Sequence, residues 1–579
     1  MKKYLIVGGV AGGASTAARL RRNDETAQII VFERGKYISY ANCGLPYYIG
    51  GIIKERDKLF VQTAEEFSKR FNIDIRTRSE VTSIDTLGKK VIVSDLDKGE
   101  SYEESYDRLV LSPGAQPIIP SVKGNDLPGI FILRNVEDTD KIQEFIKQKK
   151  PKRATVIGAG YIGIEMVENL YNICSEVSLI ELADRILPFF DFEMSSALNR
   201  HIRSTGVKVY LNEKVNSIEQ TNEGIIASLD SGKTIESDMV IFATGIKPDT
   251  NWLLNSGLEL SDNGSIVVNE YLQTNDADIY AVGDAIQIKH QILQQDINAY
   301  LAGPASKQGR IVADNIVFGN NRRFDGVMGN AIIKVFDLTA GIVGASDQQL
   351  KLNNREFCTA AIHGSSNAGY YPNALPISIK LFFEPYVGKI LGAQIIGFKG
   401  VDKRLDVISA FMQKSGTVFD LAEFEHSYAP PFSSARDPIT IVGFVAENMI
   451  KGKFKTIEWT ELSQEKYRHS FLLDVRKIEE YALDSIPGSI NIPIDELRDR
   501  WQELPKEKDI IIYCHAGLRG YLACRLLIQK GFDRVYNLSG GFKTYQFVHG
   551  RKDGEDGIYD GETILPDDQI YPQDDDFLS

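Results

Sequence analysis

An α/β chain is predicted, built from two parallel-sheet nucleotide-binding folds, an α+β domain and a separate C-terminal α/β unit, and three observations predict it. Two strand-turn-helix units begin alike, at Tyr4-Leu5-Ile6-Val7-Gly8-Gly9 and at Thr155-Val156-Ile157-Gly158-Ala159-Gly160, about 150 residues apart. From 326 to 447 the pattern changes to alternating strands such as Ile377-Ser378-Ile379-Lys380-Leu381-Phe382, with helical segments and a Pro430-Pro431 turn after them. Beyond a stretch carrying Lys451, Lys453 and Lys455, the apolar strands Phe471-Leu472-Leu473 and Ile510-Ile511-Ile512-Tyr513 each end at a reactive-looking residue or loop. A length of 579 residues accommodates three or four such domains.

The first strand opens into Gly8-Gly9-Val10-Ala11-Gly12-Gly13 at the head of a helix, and Glu33 ends the next strand. Glycines in such a turn let the backbone approach a pyrophosphate at a helix N-terminus, while the carboxylate accepts hydrogen bonds from a ribose. Val10 stands where the middle glycine of this Rossmann-like fingerprint belongs. The expectation therefore rests on Gly8, Gly12 and Gly13 together with the strand context, Glu33 and the later Gly283-Asp284 pair. The second fingerprint, Gly158-x-Gly160-x-x-Gly163, is complete and has Glu181 at the end of its next strand. An acidic residue there repels a 2'-phosphate, which favours NADH, while Arg185 nearby leaves NADPH possible. Leu111-Ser112-Pro113-Gly114 and Phe242-Ala243-Thr244-Gly245 read as strand ends leading into crossovers between the folds, and Ile279 to Asp284 returns the chain to the first. The expected division is a discontinuous first fold over 1–118 and 246–325, an NAD(P)H-binding fold over 119–245, an interface domain over 326–447, a linker over 448–462, a C-terminal α/β domain over 463–550 and a tail over 551–579.

Ten residues beyond Glu33 lies Cys43, in the run Ser39-Tyr40-Ala41-Asn42-Cys43-Gly44-Leu45-Pro46-Tyr47-Tyr48. A paired-cysteine flavin disulfide reductase carries Cys-x-x-x-x-Cys here, but the position five after Cys43 is Tyr48 and the next cysteine is Cys174. Cys43 must then find its sulfur partner in a substrate or a bound thiol. A buried structural cysteine is the alternative, and Gly44 and Pro46 count against it because they make the segment a turn.

Composition bounds the remaining choices. The five cysteines, Cys43, Cys174, Cys358, Cys514 and Cys524, are too scattered for a disulfide framework or a metal site. The Met1-Lys2-Lys3 start runs directly into a strand, and no apolar run approaches the ~18 residues of a membrane span, so a cytoplasmic protein is expected. A net charge of -13 argues against general nucleic-acid binding. Ten of the acidic residues fall in 551–579, which reads as a solvated extension that either aids solubility or docks elsewhere.

On these residues, about 1–447 resembles the pyridine nucleotide-disulfide oxidoreductase superfamily, which implies FAD on the first fold and the nicotinamide nucleotide on the second. The single-cysteine loop, Ser39 to Gly51 with Asn42-Cys43-Gly44-Leu45-Pro46, is similar to that of coenzyme A-disulfide reductases. That resemblance implies Glu33 on the adenosine ribose, Asp284 on the ribityl chain, and Ser39 and Asn42 beside the substrate. It further implies a homodimer in which Tyr371, of Tyr370-Tyr371-Pro372, and Tyr428, of Tyr428-Ala429-Pro430-Pro431, serve the other subunit's cysteine. Core or interface tyrosines are the alternative for both. Arg19 and Arg22, three apart on one helix face, are candidates to clamp the phosphates of coenzyme A, with a solvated helix face as the other reading.

The last domain offers a second thiol. Cys514-His515-Ala516-Gly517-Leu518-Arg519 follows an apolar strand and leads into a helix, so its amides can curl around the sulfur. With Leu473-Asp474-Val475-Arg476, Ile486-Pro487-Gly488 and Leu538-Ser539-Gly540-Gly541, the segment resembles a rhodanese domain, which implies that Cys514 holds sulfane sulfur with Arg519 assisting. Asp484-Ser485 departs from the Gly-His of many rhodaneses. Together the two resemblances imply a flavin-dependent, NADH-driven reductase of coenzyme A persulfide, polysulfide or coenzyme A disulfide. Two alternatives stand beside it. One is an NADH peroxidase or oxidase cycling a sulfenic acid, although no histidine occurs before His201 to match the one such enzymes place in the first glycine loop. The other is a sulfurtransferase with the flavin region as a redox-sensing scaffold.

Overall fold

The structure, a computed structural model, describes residues 1–550 and the backbone of 552–553 and 558–559. The expected acidic tail otherwise lies outside the described residues. Two compact units emerge, one of 1–182 with 213–327, the other of 183–212 with the chain from 328 onward.

The first unit holds two parallel sheets. One runs Ile279–Ala281, Arg108–Leu111, Lys3–Val7, Gln28–Glu33, Asp74–Thr77, every neighbour parallel. Its central strands bury four consecutive residues each, the unbroken apolar run that a sheet covered on both faces requires. The helices Ala11–Asn23 and Ala302–Phe318 pack on each other closely enough that a Cβ on Gly309 would stand 2.6 Å from the Gly12 carbonyl oxygen. The other sheet places Glu176–Ile180, Arg153–Ile157, Met239–Phe242 and Ile130–Ile132 side by side, again parallel. The two expected crossovers meet: just beyond them Ala115–Pro117 and Ile246–Pro248 pair as a short antiparallel ribbon.

In the second unit, an antiparallel sheet of Ala331–Val335, Leu338–Gly344, Ile390–Gly397, Pro376–Phe383 and Cys358–Ser365 forms where alternating strands were expected, but Pro376–Phe383 and Ile390–Gly397 are buried at every position, the polar members of the alternation included. Lys380 sits in that alternation yet is buried, because Asp191, at 2.7 Å, and Glu193 pair with its ammonium. A parallel sheet follows in the order Lys455–Ile457, Val535–Leu538, Ile510–Tyr513, Phe471–Asp474, Ile490–Asn491. Its first strand lies inside 448–462, the stretch expected as a linker, whose opening residues finish the helix Pro438–Ile450. Three residues are too few to show a strand period, and the lysines around them gave the stretch a solvated look. No helix among the described residues is long and apolar enough to cross a membrane.

Candidate functional sites

The two fingerprint turns are built alike. Gly8 and Gly158 take positive φ (94° and 104°), and a Cβ on either would lie 2.0 Å from the Ser112 carbonyl oxygen or 2.4 Å from that of Ala243. Gly13 and Gly163 let each helix start against its own turn, since a Cβ would come within 1.8 Å of the Gly8 oxygen or 1.9 Å of the Gly158 oxygen. Gly12 is as tightly placed, with the Ser112 hydroxyl 2.8 Å from where its Cβ would stand. At Gly160 a Cβ would meet no protein atom within 4 Å, so no packing demand of the protein accounts for the missing side chain there. That is the fit a nucleotide lying close to the backbone requires. Each turn is also closed by its acidic residue. Glu33 accepts from the amides of Gly9 and Gly35, both at 2.8 Å, and Glu181 accepts from that of Ala159 at 2.6 Å. Burial pushes the Glu33 carboxyl up against the pull of those amides. Val10, the departure in the first fingerprint, is the N-cap of the helix Ala11–Asn23 and disturbs nothing in the turn.

Cys43 lies in a single helical turn, Asn42–Gly44, that runs into the helix Leu45–Ile49 with Pro46 in its first turn. Ser39, at φ 47°, ties this loop to the first fingerprint: its amide donates to the Gly9 oxygen at 2.9 Å, and its carbonyl accepts from Val61 at 2.9 Å. The helix Leu45–Ile49 is held by Gln143, whose side-chain amide donates to the carbonyls of Tyr48 and Ile49. Gly50 passes so near Asn169 that a Cβ would stand 2.1 Å from its oxygen. The thiol itself is exposed. Surrounding protein pushes its pKa up, and the carboxylates of Glu165 and Asp284 push it further. Asp284, half-buried after the positive-φ Gly283, is itself pushed up by burial and eased by Arg134.

Two residues of this site escaped the sequence reading. Glu165, on the helix Tyr161–Tyr171, has its pKa pushed up to about 7 by burial and by Glu168, while Tyr47 donates to it at 3.5 Å. An acidic residue inside Ile162-Gly163-Ile164-Glu165-Met166-Val167 was the available signal. Arg134 donates to the Ala115 carbonyl at 2.5 Å and, with the Asn42 amide turned to suit, exchanges two hydrogen bonds with Asn42 at 3.0 and 3.1 Å. It lies between the strand Ile130–Ile132 and the helix Val136–Lys149, and nothing local marks it.

The remaining predicted residues lie as follows. Arg19 pairs with Asp314 through Nε at 2.7 Å, and the Arg22 Nε donates to the Ala18 carbonyl on its own helix. Tyr371 and Tyr428 are on the second unit and are 41% and 47% exposed, with the Tyr428 hydroxyl 2.9 Å from that of Tyr370.

Cys514 is 2% exposed and receives the Gly517 amide on its sulfur at 3.1 Å, where Gly517, at φ 111°, turns the loop into the helix Leu518–Gln529. Behind the loop, Phe542 and Lys543 donate their amides to the carbonyls of Cys514 and His515. Gly541 permits this approach, since a Cβ there would be 2.5 Å from the Cys514 oxygen. Arg519 is paired with Glu480. Nη1 and Nη2 donate to Glu480 at 2.7 and 2.9 Å, both side chains buried.

Comparison with known proteins agrees with this layout. Residues 2–303 match the pyridine nucleotide-disulphide oxidoreductase family, 331–438 its dimerisation domain, and 456–547 the rhodanese-like domain. A coenzyme A disulfide reductase of Staphylococcus epidermidis is 36% identical over 447 residues, which is 77% of this chain and all of that one. The reduced CoADR-RHD of Bacillus anthracis superimposes with a TM-score of 0.92 at 47% identity, covering 94% of this chain and 98% of its own. A NAD-dependent persulfide reductase from A. fulgidus gives 0.87 at 37% identity, covering 94% and 100%. The chain belongs to the pyridine nucleotide-disulphide oxidoreductase family, carrying a rhodanese-like domain after its dimerisation domain.

Proposed function

We propose that this protein reduces coenzyme A persulfide, polysulfide or coenzyme A disulfide at Cys43 with electrons from NADH, and that its rhodanese-like domain handles the sulfane sulfur. The observation that carries the reading is an exposed, partnerless thiol in a loop stapled by Ser39 to the first nucleotide turn. A lone cysteine so placed cannot close an internal disulfide, so its sulfur exchange is with the substrate.

In this reading the Cys43 thiolate attacks one sulfur of the substrate, the S–S bond breaks, and the departing thiolate takes the electron pair. Cys43 keeps a mixed disulfide or a persulfide. FAD, when bound, would supply the two electrons that break this S–S bond, restoring the Cys43 thiolate and releasing the held group as thiolate or sulfide, and NADH would replenish them. The chain's own residues set the stage: Arg134 fixes Asn42 beside the thiol, and Glu165 stands ready to hold a proton near neutral pH. Glu33 and Asp284 are assigned to FAD, and Gly158, Gly160, Gly163 and Glu181 to the nicotinamide nucleotide. Arg19 and Arg22 are assigned to coenzyme A, Arg19 through the exposed side of its Asp314 pair. Tyr371 and Tyr428 serve the thiol of a second subunit, in a homodimer assembled through the dimerisation domain in the cytoplasm. Their exposure on the second unit supports that role.

The test is anaerobic NADH oxidation with coenzyme A persulfide, coenzyme A disulfide, polysulfide and peroxide in parallel. Turnover on one or more sulfur substrates, lost in Cys43→Ser with FAD still bound, is expected. Peroxide as the preferred oxidant, or turnover retained by Cys43→Ser, overturns the reading.

A further inference from the structure

Two arginines lie next to the Cys514 loop, both buried in ion pairs, and Arg476 keeps one donor, Nη1, without a hydrogen-bond partner among the described residues. Arg519, five residues after Cys514, gives both terminal nitrogens to Glu480 on the helix Ile478–Leu483, and the two side chains are 6% and 7% exposed. Glu480 is ionised as well as buried, because Arg519 and the Lys477 amide hold its carboxyl below the usual range against the cost of burial. Arg476, two residues past the strand Phe471–Asp474, is paired with Asp474, both wholly buried, and its guanidinium lies 4.1 Å from the Phe542 ring centre. A guanidinium fork matches an oxyanion only while its donors are free, and here the fork is already filled by a carboxylate. What the loop itself presents to a ligand on Cys514 is the Gly517 amide.

We propose that Glu480 is a specificity-determining residue of the rhodanese-like domain: by holding Arg519 in a neutral buried pair it makes the Cys514 loop select persulfides of organic thiols over thiosulfate. The proposal rests on the sulfur-transfer reading of this domain. The step is the same for both donors. The Cys514 thiolate attacks the outer sulfur, the S–S bond breaks, and the electron pair leaves with sulfite or with an organic thiolate, while Cys514 becomes a persulfide with no net change in oxidation. The donors differ in what must be accommodated beside the loop. Thiosulfate brings a compact dianion whose sulfonate oxygens require cationic or many amide donors. An organic persulfide brings one negative charge on the sulfur that Gly517 already faces. With its charge cancelled by Glu480, Arg519 offers the first no cation to meet, while the second needs none.

The test loads sulfur onto Cys514 in the full-length flavoenzyme without NADH. Thiosulfate and glutathione persulfide serve as donors, and the gain of one sulfur atom on the Cys514 peptide is followed by mass spectrometry. In the wild type glutathione persulfide is expected to load faster. Glu480→Gln leaves Arg519 uncompensated and is expected to raise the thiosulfate-to-persulfide rate ratio roughly tenfold, the scale of one charge acting through partly buried protein. Replacing both partners, Glu480→Met with Arg519→Met, removes a neutral pair in a form that buried ion pairs tolerate, and should leave the ratio within about twofold of wild type. The double variant decides the matter if Glu480→Gln fails to fold. An unchanged or lowered ratio in folded Glu480→Gln overturns the proposal. So does a selective loss of thiosulfate loading in the double variant, which would make Arg519 a direct anion ligand. Failure of both donors to load wild-type Cys514 would instead overturn the sulfur-transfer reading on which the proposal stands.

Discussion

Around Cys43 the protein raises the cost of making a thiolate, since desolvation by the surrounding loop, Glu165 and Asp284 all act in the same direction on this exposed thiol. With its pKa pushed up to about 7, Glu165 is protonated below neutrality and charged above it, so its opposition to the thiolate grows as pH rises. Glu165→Gln is therefore expected to shift the pH profile of Cys43 alkylation by iodoacetamide to lower pH, with several-fold faster reaction at pH 8. A raised carboxyl also costs stability as pH climbs from its unfolded value through the folded one. The same variant should gain thermal stability over wild type at pH 8 and little at pH 5. An unaltered alkylation profile would show that Glu165 does not act on the thiol. The sequence revealed Cys43 by what was missing five residues later, an observation that needs no structure. Glu165 and Arg134 were not legible, because their roles come from the space between elements distant in the chain.

Single elements explain why the glycines were readable. A turn that must touch its own helix admits no Cβ, so Gly13 and Gly163 show in the sequence as surely as in the structure. Gly163→Ala should impair NADH oxidation at least tenfold while the flavin absorbance remains, and Gly13→Ala should lose FAD on purification. The reverse pattern would exchange the cofactors between the folds. Between elements, Asp314 joins the helix Ala302–Phe318 to Ala11–Asn23. It accepts from Arg19, Asn23 and Arg322, which hold its carboxyl at about 2. This stabilisation is present above the ordinary carboxylate range and fades as pH falls toward 2. Asp314→Asn is expected to cost about 2 kcal/mol at pH 7, measured by denaturant unfolding of the holoenzyme, and progressively less in acid. The strand Lys455–Ile457 marks the opposite limit, since its identity comes from the partner strand Val535–Leu538 and not from its own three residues.

For the molecule as a whole, the fusion was legible as two sets of motifs, whereas the bonding inside the second unit was not. His363 on the antiparallel sheet meets Thr544 at 2.8 Å, Thr359 donates to Glu458, and the Trp459 indole donates to Glu193 at 3.2 Å. These contacts couple residues up to 266 positions apart, beyond the reach of any local pattern. They also change how the division of labour should be tested. Cutting near residue 455 would strip partners from Glu193 and Thr359 and is expected to lower the melting temperature. Cys514→Ser leaves the packing in place. It should spare reduction of small soluble disulfides at Cys43 and slow turnover only where sulfur must first be taken from a donor. Equal losses on coenzyme A disulfide, polysulfide and thiosulfate, or none on any, would rule out that role.

The ribbon of Ala115–Pro117 with Ile246–Pro248 bears on the order of events as the chain is made. The edge strand Ile279–Ala281 pairs with Arg108–Leu111, so the first sheet stays incomplete until more than half of what precedes that strand has found its place. Bringing such remote segments together through an unstructured excursion is slow. Once the inserted fold has formed, its two ends leave side by side and the excursion becomes a short bridge. A ribosome-bound chain ending near residue 250 should accordingly show a protease-resistant inserted fold before FAD can be retained, and completion of the first sheet should follow quickly when Ile279–Ala281 emerges.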